Sequence, residues 1–180
     1  MAIGAFKLAI QIAAELEATS LIIHPMDPDY PNDVAQGTKL DKITDAFAVL
    51  VEYAEPYNVK IAVENVHEPH SQTILAHLFQ NIESLKLCYD IGHANIWDKD
   101  KAYIPDYIDR ISALHLHDNH GICDEHLIPG EGTIDFPSFF KILKKYNYDG
   151  YLGLECLNTI DPPPTPYDHA TLIWKRLQDE

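Results

Sequence analysis

Apolar residues along this chain follow two rhythms in turn. The segments SLIIH (20–24), VKIAVEN (59–65), LKLCYD (85–90), ISALHLHD (111–118) and GYLGLE (150–155) are short and apolar, the length and composition of strands. Between them the spacing changes to i, i+3, i+4, i+7. Ile3, Phe6, Ile10 and Ala13/Ala14 predict an amphipathic helix at the start. Ile43, Ala46, Phe47, Leu50, Val51 and Ala54 predict a second helix, and Ile74, Leu75, Leu78, Phe79 and Ile82 a third. A weaker helical stretch lies near 102–109. Asp135 is placed to cap a helix carrying Phe139, Phe140, Leu143 and Tyr146. The proline run DPPPTP (161–166) leads into a last helix near 167–178. Strand alternating with helix implies parallel pairing and an α/β fold.

Within the strands a period of two separates two faces. One face collects Leu21 and Ile23, Ile61 and Val63, Leu87 and Tyr89, Leu114 and Leu116, Leu152 and Leu154, bulky residues that would meet helices. The other face ends each strand in a polar side chain: His24, Glu64, Asp90, His115 with His117, and Glu155. Small residues, Ala62, Cys88, Ala113 and Gly153, sit just beneath several of them. Five strands thus deliver candidate metal ligands at their C-terminal ends, where (β/α)8 barrels keep their chemistry.

Composition narrows the function classes. The chain has 180 residues, 46% of them hydrophobic, which fits one folded domain over 1–180 and excludes a disordered chain. The formal charge is −15, and only Arg110 and Arg176 are arginines, so nucleic acid and anionic membranes are disfavoured partners. Cys88, Cys123 and Cys156 are widely spaced and form no CxxC pair, which points to a reducing cytoplasm rather than a disulfide framework. No apolar run approaches the length of a membrane span.

Glu64, Asp90, His115 and Glu155 together make a hard, oxygen-rich donor set suited to Mn2+, Mg2+ or Co2+ and tolerant of Zn2+. Unpaired carboxylates converging in a barrel would raise one another's pKa, and a divalent cation removes that conflict. A second group is His24, His93, Asp124 and His126. These residues can hold a second metal, with Zn2+ favoured where imidazole dominates, or can orient the ligands of the first and contact substrate hydroxyls. His117 is a candidate substrate-binding residue or an orienting partner. His67, His70, His77 and His169 are expected at the surface, Lys99 and Lys101 in solvent, and Cys88 in packing. PGEG (129–132) reads as a turn that closes the long loop; no basic cluster supports it as a phosphate cradle.

LIIHP, IAVEN, CYDIGHAN, LHLHDNHGICDEHLIPGEGTIDF and GYLGLE occur in an order that resembles the xylose-isomerase-like TIM-barrel superfamily, and within it the sugar phosphate isomerase/epimerase branch. The resemblance covers essentially the whole chain and is most specific from His115 to Phe136. It implies a single divalent metal site at Glu64, Asp90, His115 and Glu155. In ketose 3-epimerases of the superfamily the two metal-bound glutamates also exchange the substrate proton, and Glu64 and Glu155 hold those positions. His24, His93, Asp124 and His126 match additional zinc ligands of the apurinic endonucleases, which many sugar-branch members also keep.

The resemblance therefore implies a metal-dependent isomerase or epimerase acting on a small sugar or sugar phosphate. Two other readings stand beside it: a zinc phosphodiesterase of the apurinic-endonuclease kind, and a non-catalytic partial barrel. A (β/α)8 barrel takes about 250 residues, whereas five strands are legible here. The expected fold is a partial TIM barrel lacking its N-terminal strand–helix units, with an open edge that a second copy of the chain can cover.

Overall fold

The computed structural model describes residues 3–25, 36–66, 71–97 and 104–156. The elements run α1 (Ile3–Glu15), β1 (Ser20–Ile23), α2 (Gln36–Ala54), β2 (Lys60–Glu64), α3 (Ser71–Asn81), β3 (Lys86–Asp90), α4 (Ile91–Trp97), α5 (Ile104–Tyr107), β4 (Ile111–Leu116), α6 (Phe136–Lys145) and β5 (Tyr151–Leu154). All five strands are parallel, and their order in the sheet is their order in the chain, the strand arrangement of a partial TIM barrel. The proline linker, the last helix, His67, His70, His169, Lys99 and Lys101 lie outside the described residues. Among the described residues no helix is long and apolar enough to cross a membrane.

The chain divides into two compact units, one comprising 1–88 with 109–113 and the other 89–108 with 114–180. In the first, β1 pairs with β2 from Ser20↔Lys60 to Ile23↔Val63, and β2 pairs with β3 from Ala62↔Lys86 to Glu64↔Cys88. Ile10 of α1 and Phe47 and Leu50 of α2 are completely buried, as is the α3 row Ile74, Leu75, Leu78 and Phe79 to within a few per cent. Ala62, Cys88 and Ala113 form a separate cluster with Ile22 packed against it, so the Cys88 thiol is a packing group. No disulfide joins the three cysteines. Arg110 closes the turn after α3. Its Nη1 donates to the carbonyls of Ile82, Glu83 and Leu85 at 3.2, 2.8 and 3.1 Å, and Nη2 to that of Phe79 at 3.2 Å. The guanidinium also lies 4.8 Å from the Phe79 ring centre. The Phe79 carbonyl is among those a helix end leaves unbonded, and the other three belong to the turn that follows.

The second unit contains two findings that the apolar pattern does not predict. Helix α4 follows β3 directly, although IGHANIW contains poor helix formers. Asp90 starts it: its Oδ1 accepts the His93 backbone N–H at 2.7 Å, the bond of an N-cap. The weaker helical stretch expected near 102–109 is met, among the described residues, by α5 and a 3-10 turn over Ile108–Arg110. On β5, Leu152 and Leu154 were expected to meet a helix but are 52% and 40% exposed; the residues that follow Cys156 lie outside the described set. Helix α6 begins as expected, with the Asp135 carboxylate accepting the Ser138 N–H at 3.0 Å.

Candidate metal and substrate site

Strand ends supply the first group of side chains. In the second unit, Asp90 closes β3, His115 lies on β4, and Glu155 follows β5. One donor atom from each of the three lies within 4.8 Å of the others. His115 Nδ1 is 3.1 Å from Glu155 Oε2 and 3.8 Å from Asp90 Oδ2. Asp90 is completely buried, His115 is largely buried, and the Glu155 side chain is 45% exposed. Two carboxylates and one imidazole at this spacing fit a hard divalent cation. Gly153 keeps the space: a Cβ there would lie 3.0 Å from the Leu114 carbonyl and 3.6 Å from the His115 ring.

Glu64 belongs to the first unit. It ends β2 with 1% of its side chain exposed, and its Oε2 lies 3.4 Å from His24 Nε2, whose side chain is 62% exposed.

A second group forms entirely within the second unit, and its membership differs from the sequence expectation. His93, His117, Asp124 and His126 converge with donor atoms within 4.8 Å. His24 pairs with Glu64 in the other unit, and His117 joins the group. Asp124 Oδ2 lies 3.3 Å from His93 Nε2 and 3.1 Å from His126 Nε2, while its Oδ1 is 3.6 Å from His117 Nε2. His117 also places Nε2 3.1 Å from Asp90 Oδ1, so it links the two groups. Its ring stacks on that of His126 with centres 4.1 Å apart. It is completely buried, held against Asp90 and Asp124. Gly92 makes room for it, because a Cβ at that position would run into the imidazole. The alternation Asp124–Glu125–His126 does aim both outer side chains the same way, but not by extension: His126 has φ +51 and donates from Nδ1 to the Glu155 carbonyl at 2.6 Å.

The electrostatics follow from this packing. Burial pushes the Asp124 carboxyl up, yet the His93 hydrogen bond and the charges of His93, His126 and His117 outweigh it and hold the group at about 2. Burial pulls the His117 pKa down, but the Asp90 hydrogen bond and the Asp90 and Asp124 charges leave it raised. Anionic oxygens thus favour positive charge here, whether a proton or a cation supplies it. Cys156 is pushed up to about 11 by burial and by the charges of Glu131, Asp118 and Glu155, which leaves it a thiol.

Sequence reasoning passed over Asp118, Asn119 and Asn95. Asp118 and Asn119 are completely buried. Gly130 and Gly132 donate their backbone N–H groups to Asp118 Oδ2, both at 2.8 Å, so the glycine turn cradles the protein's own carboxylate. The available signal was the long polar loop itself, whose backbone groups need internal partners when buried. His120 and Glu125 clip the loop tip at 3.0 Å, and His77 sits 3.9 Å from Asp41 on the exterior.

The chain is similar to known proteins. A protein of Methanocaldococcus jannaschii, the uncharacterized protein MJ1311, is 31% identical over 170 residues, covering 85% of this chain and 56% of its own length. The 3-dehydro-D-guloside 4-epimerase of Escherichia coli K12 is 28% identical over 142 residues, covering 74% of this chain and 52% of the enzyme. The chain therefore spans about half the length of the curated relatives it matches. A crystal structure of a D-tagatose 3-epimerase-like protein superposes with a TM-score of 0.79 at 28% identity, covering 98% of this chain and 70% of that one. The model of the xylose isomerase-like TIM-barrel family matches residues 2–177, and the chain belongs to that family.

Proposed function

We propose that the chain carries the active site of a divalent-metal-dependent isomerase or epimerase acting on a small sugar or sugar phosphate. The observation that carries the reading is the convergence of Asp90, His115 and Glu155 at the ends of β3, β4 and β5. Glu64, at the end of β2, is proposed as the fourth ligand. Mn2+, Mg2+ or Co2+ suits these donors, and Zn2+ is tolerated. Held there, such a cation would polarise a carbonyl and its neighbouring hydroxyl and so acidify the C–H between them.

The remaining chemistry belongs to the protein. Glu155 is half-exposed and can meet a substrate carbon, taking its proton on one carboxylate oxygen. Glu64, which must carry a proton at the start, delivers it to the enediolate carbon, giving the isomer or epimer; afterwards Glu155 releases its proton to solvent and Glu64 takes one up, which resets the pair. His117 is buried, and in this reading it orients Asp90 and Asp124 rather than touching substrate. The sugar substrate is supported by the epimerase relatives. A cytoplasmic location, and a second copy along the open sheet edge, belong to the same proposal.

Proton exchange provides the test. The Mn2+-loaded chain, incubated with candidate ketoses in D2O, should place deuterium on the carbon beside the carbonyl. Glu155→Gln should slow this about 10²- to 10⁴-fold, the usual worth of a general acid or base. Undiminished exchange in a variant that still binds Mn2+ would overturn the proton-transfer role of Glu155.

One observation favours a second reading. The imidazole-rich group of His93, His117, Asp124 and His126 suits Zn2+ and thus a phosphodiesterase. The charge of −15 opposes it, because affinity for DNA rests largely on phosphate contacts. Incision of an abasic duplex by the zinc-loaded chain would reverse the ranking.

A further inference from the structure

Three side chains of the imidazole group, His117, Asp124 and His126, ride on the long segment between β4 and α6, and the fourth, His93, on α4. Little regular structure supports that segment. Its only ladder contact is the bridge between Asp118 and Leu127, whose N–H groups donate to each other's carbonyls at 2.8 and 2.9 Å. A loop held so lightly would sample many conformations unless other groups fix it.

The fixing groups are adjacent in sequence. The Asp118 carboxylate accepts four backbone N–H groups: Asn119 and Ile134 on Oδ1 at 2.9 and 3.1 Å, and Gly130 and Gly132 on Oδ2 at 2.8 Å. It ties the beginning of the loop to its end. The Asn119 side chain ties the loop outward: its Nδ2 donates to the Gly92 carbonyl of α4 at 2.8 Å, and its Oδ1 accepts from Asn95 Nδ2 and the Gly121 N–H, both at 2.9 Å. Gly132 has to be glycine for this closure, since a Cβ there would collide with Asp118 Oδ1 and the Asn119 carbonyl. Neither side chain faces solvent, and neither lies among the residues whose donor atoms converge.

We infer that Asp118 and Asn119 are positioning residues that hold Asp124 and His126 in register with His93. Asp118 fixes the loop to itself and Asn119 fixes it to the helix that carries His93. Neither ligates nor touches substrate. The consequence for metal binding rests on the proposed function; the consequence for loop order does not.

The test compares Asp118→Asn and Asn119→Ala with Asp135→Ala, which removes the α6 cap and leaves the loop bonds intact. In the metal-free chain, amide hydrogen exchange should accelerate across 119–134 in the first two variants, including the 123–127 stretch that carries Asp124 and His126. It should remain at the parent rate there in Asp135→Ala. Acceleration confined to the amides of Gly130, Gly132 and Ile134, or spread evenly over the whole chain, would overturn the inference. Co2+ titration supplies the second readout. Both positioning variants should bind an ion held by His93, Asp124 and His126 about 10- to 100-fold more weakly, with an altered visible absorption band, the usual cost of losing a residue that orients ligands. Parent-like affinity and spectrum in both variants would likewise overturn it. Absence of Co2+ binding in the parent chain would overturn the metal reading alone, and the exchange data would still decide the positioning role.

Discussion

The two units differ in how much polarity they bury. In the first, Ile10, Phe47, Leu50 and Leu78 are buried among helices and strands, and Glu64 and Asn65 are the buried polar side chains among the described residues. The second has an apolar core of its own, with Leu114, Leu116, Phe139 and Leu143 buried, and adds Asp90, His93, His117, Asp118 and Asn119. Buried polar groups are costly unless every one is satisfied, so they contribute little net stability and much geometry. The contrast separates the part of the chain that makes a scaffold from the part that makes a site.

A cavity in the scaffold should produce the largest effect on stability and none on the site. Leu50 is fully buried. Leu50→Ala should cost about 2–5 kcal/mol, from lost transfer energy plus the residual cavity, measured by urea unfolding of the metal-free chain. Its Mn2+ affinity should be unchanged in the fraction that remains folded. A Leu50→Ala chain that folds normally but fails to bind Mn2+ would erase the distinction between the units.

Acid and base should act on the second unit, with a smaller effect. Asp124 sits at about 2, below its ordinary 3.8, so its contribution to folding is present above 3.8 and is lost as pH falls toward 2. His117 is raised above its ordinary 6.5, so its contribution is fully present below 6.5 and is lost as pH rises through the raised value. The metal-free chain should therefore hold its site best between these limits. Mn2+ affinity should show the opposite trend on the basic side, strengthening as His117 loses the proton that competes for Asp90 and Asp124. Histidine chemical shifts followed through a pH titration, with and without Mn2+, would check both signs.

Much of the scaffold was legible because burial and period coincide. The buried Phe47 and Leu50 of α2 and Ile74, Leu75 and Leu78 of α3 recur at the helical spacing that predicts them, and Asp135 caps α6 as its position suggests. Helix α4 was not legible, because Asp90 reads as a ligand from its strand-end position and its second task, accepting the His93 N–H, leaves no apolar signature. The site divides in the same way. Strand ends announce Asp90, His115 and Glu155. Membership of the imidazole group depends on a loop with irregular backbone, which is why His117 replaces His24 there. Asp118 escaped notice for a related reason. Its partners are four backbone amides spread over residues 119–134, and no side-chain pattern encodes an amide.

The central claim is that the buried polar groups of the second unit are arranged for a divalent cation. Manganese binding tests it most directly, read by electron paramagnetic resonance of the ion during titration of the purified chain and of Asp90→Asn. One tightly bound Mn2+ per chain is expected, together with slower amide exchange in 117–134 and a loss of affinity of at least about 10-fold in the variant. At a hundred times its dissociation constant the ion should add about 2.7 kcal/mol to the stability of the parent chain. No saturable binding, or binding that Asp90→Asn leaves untouched, would contradict the claim.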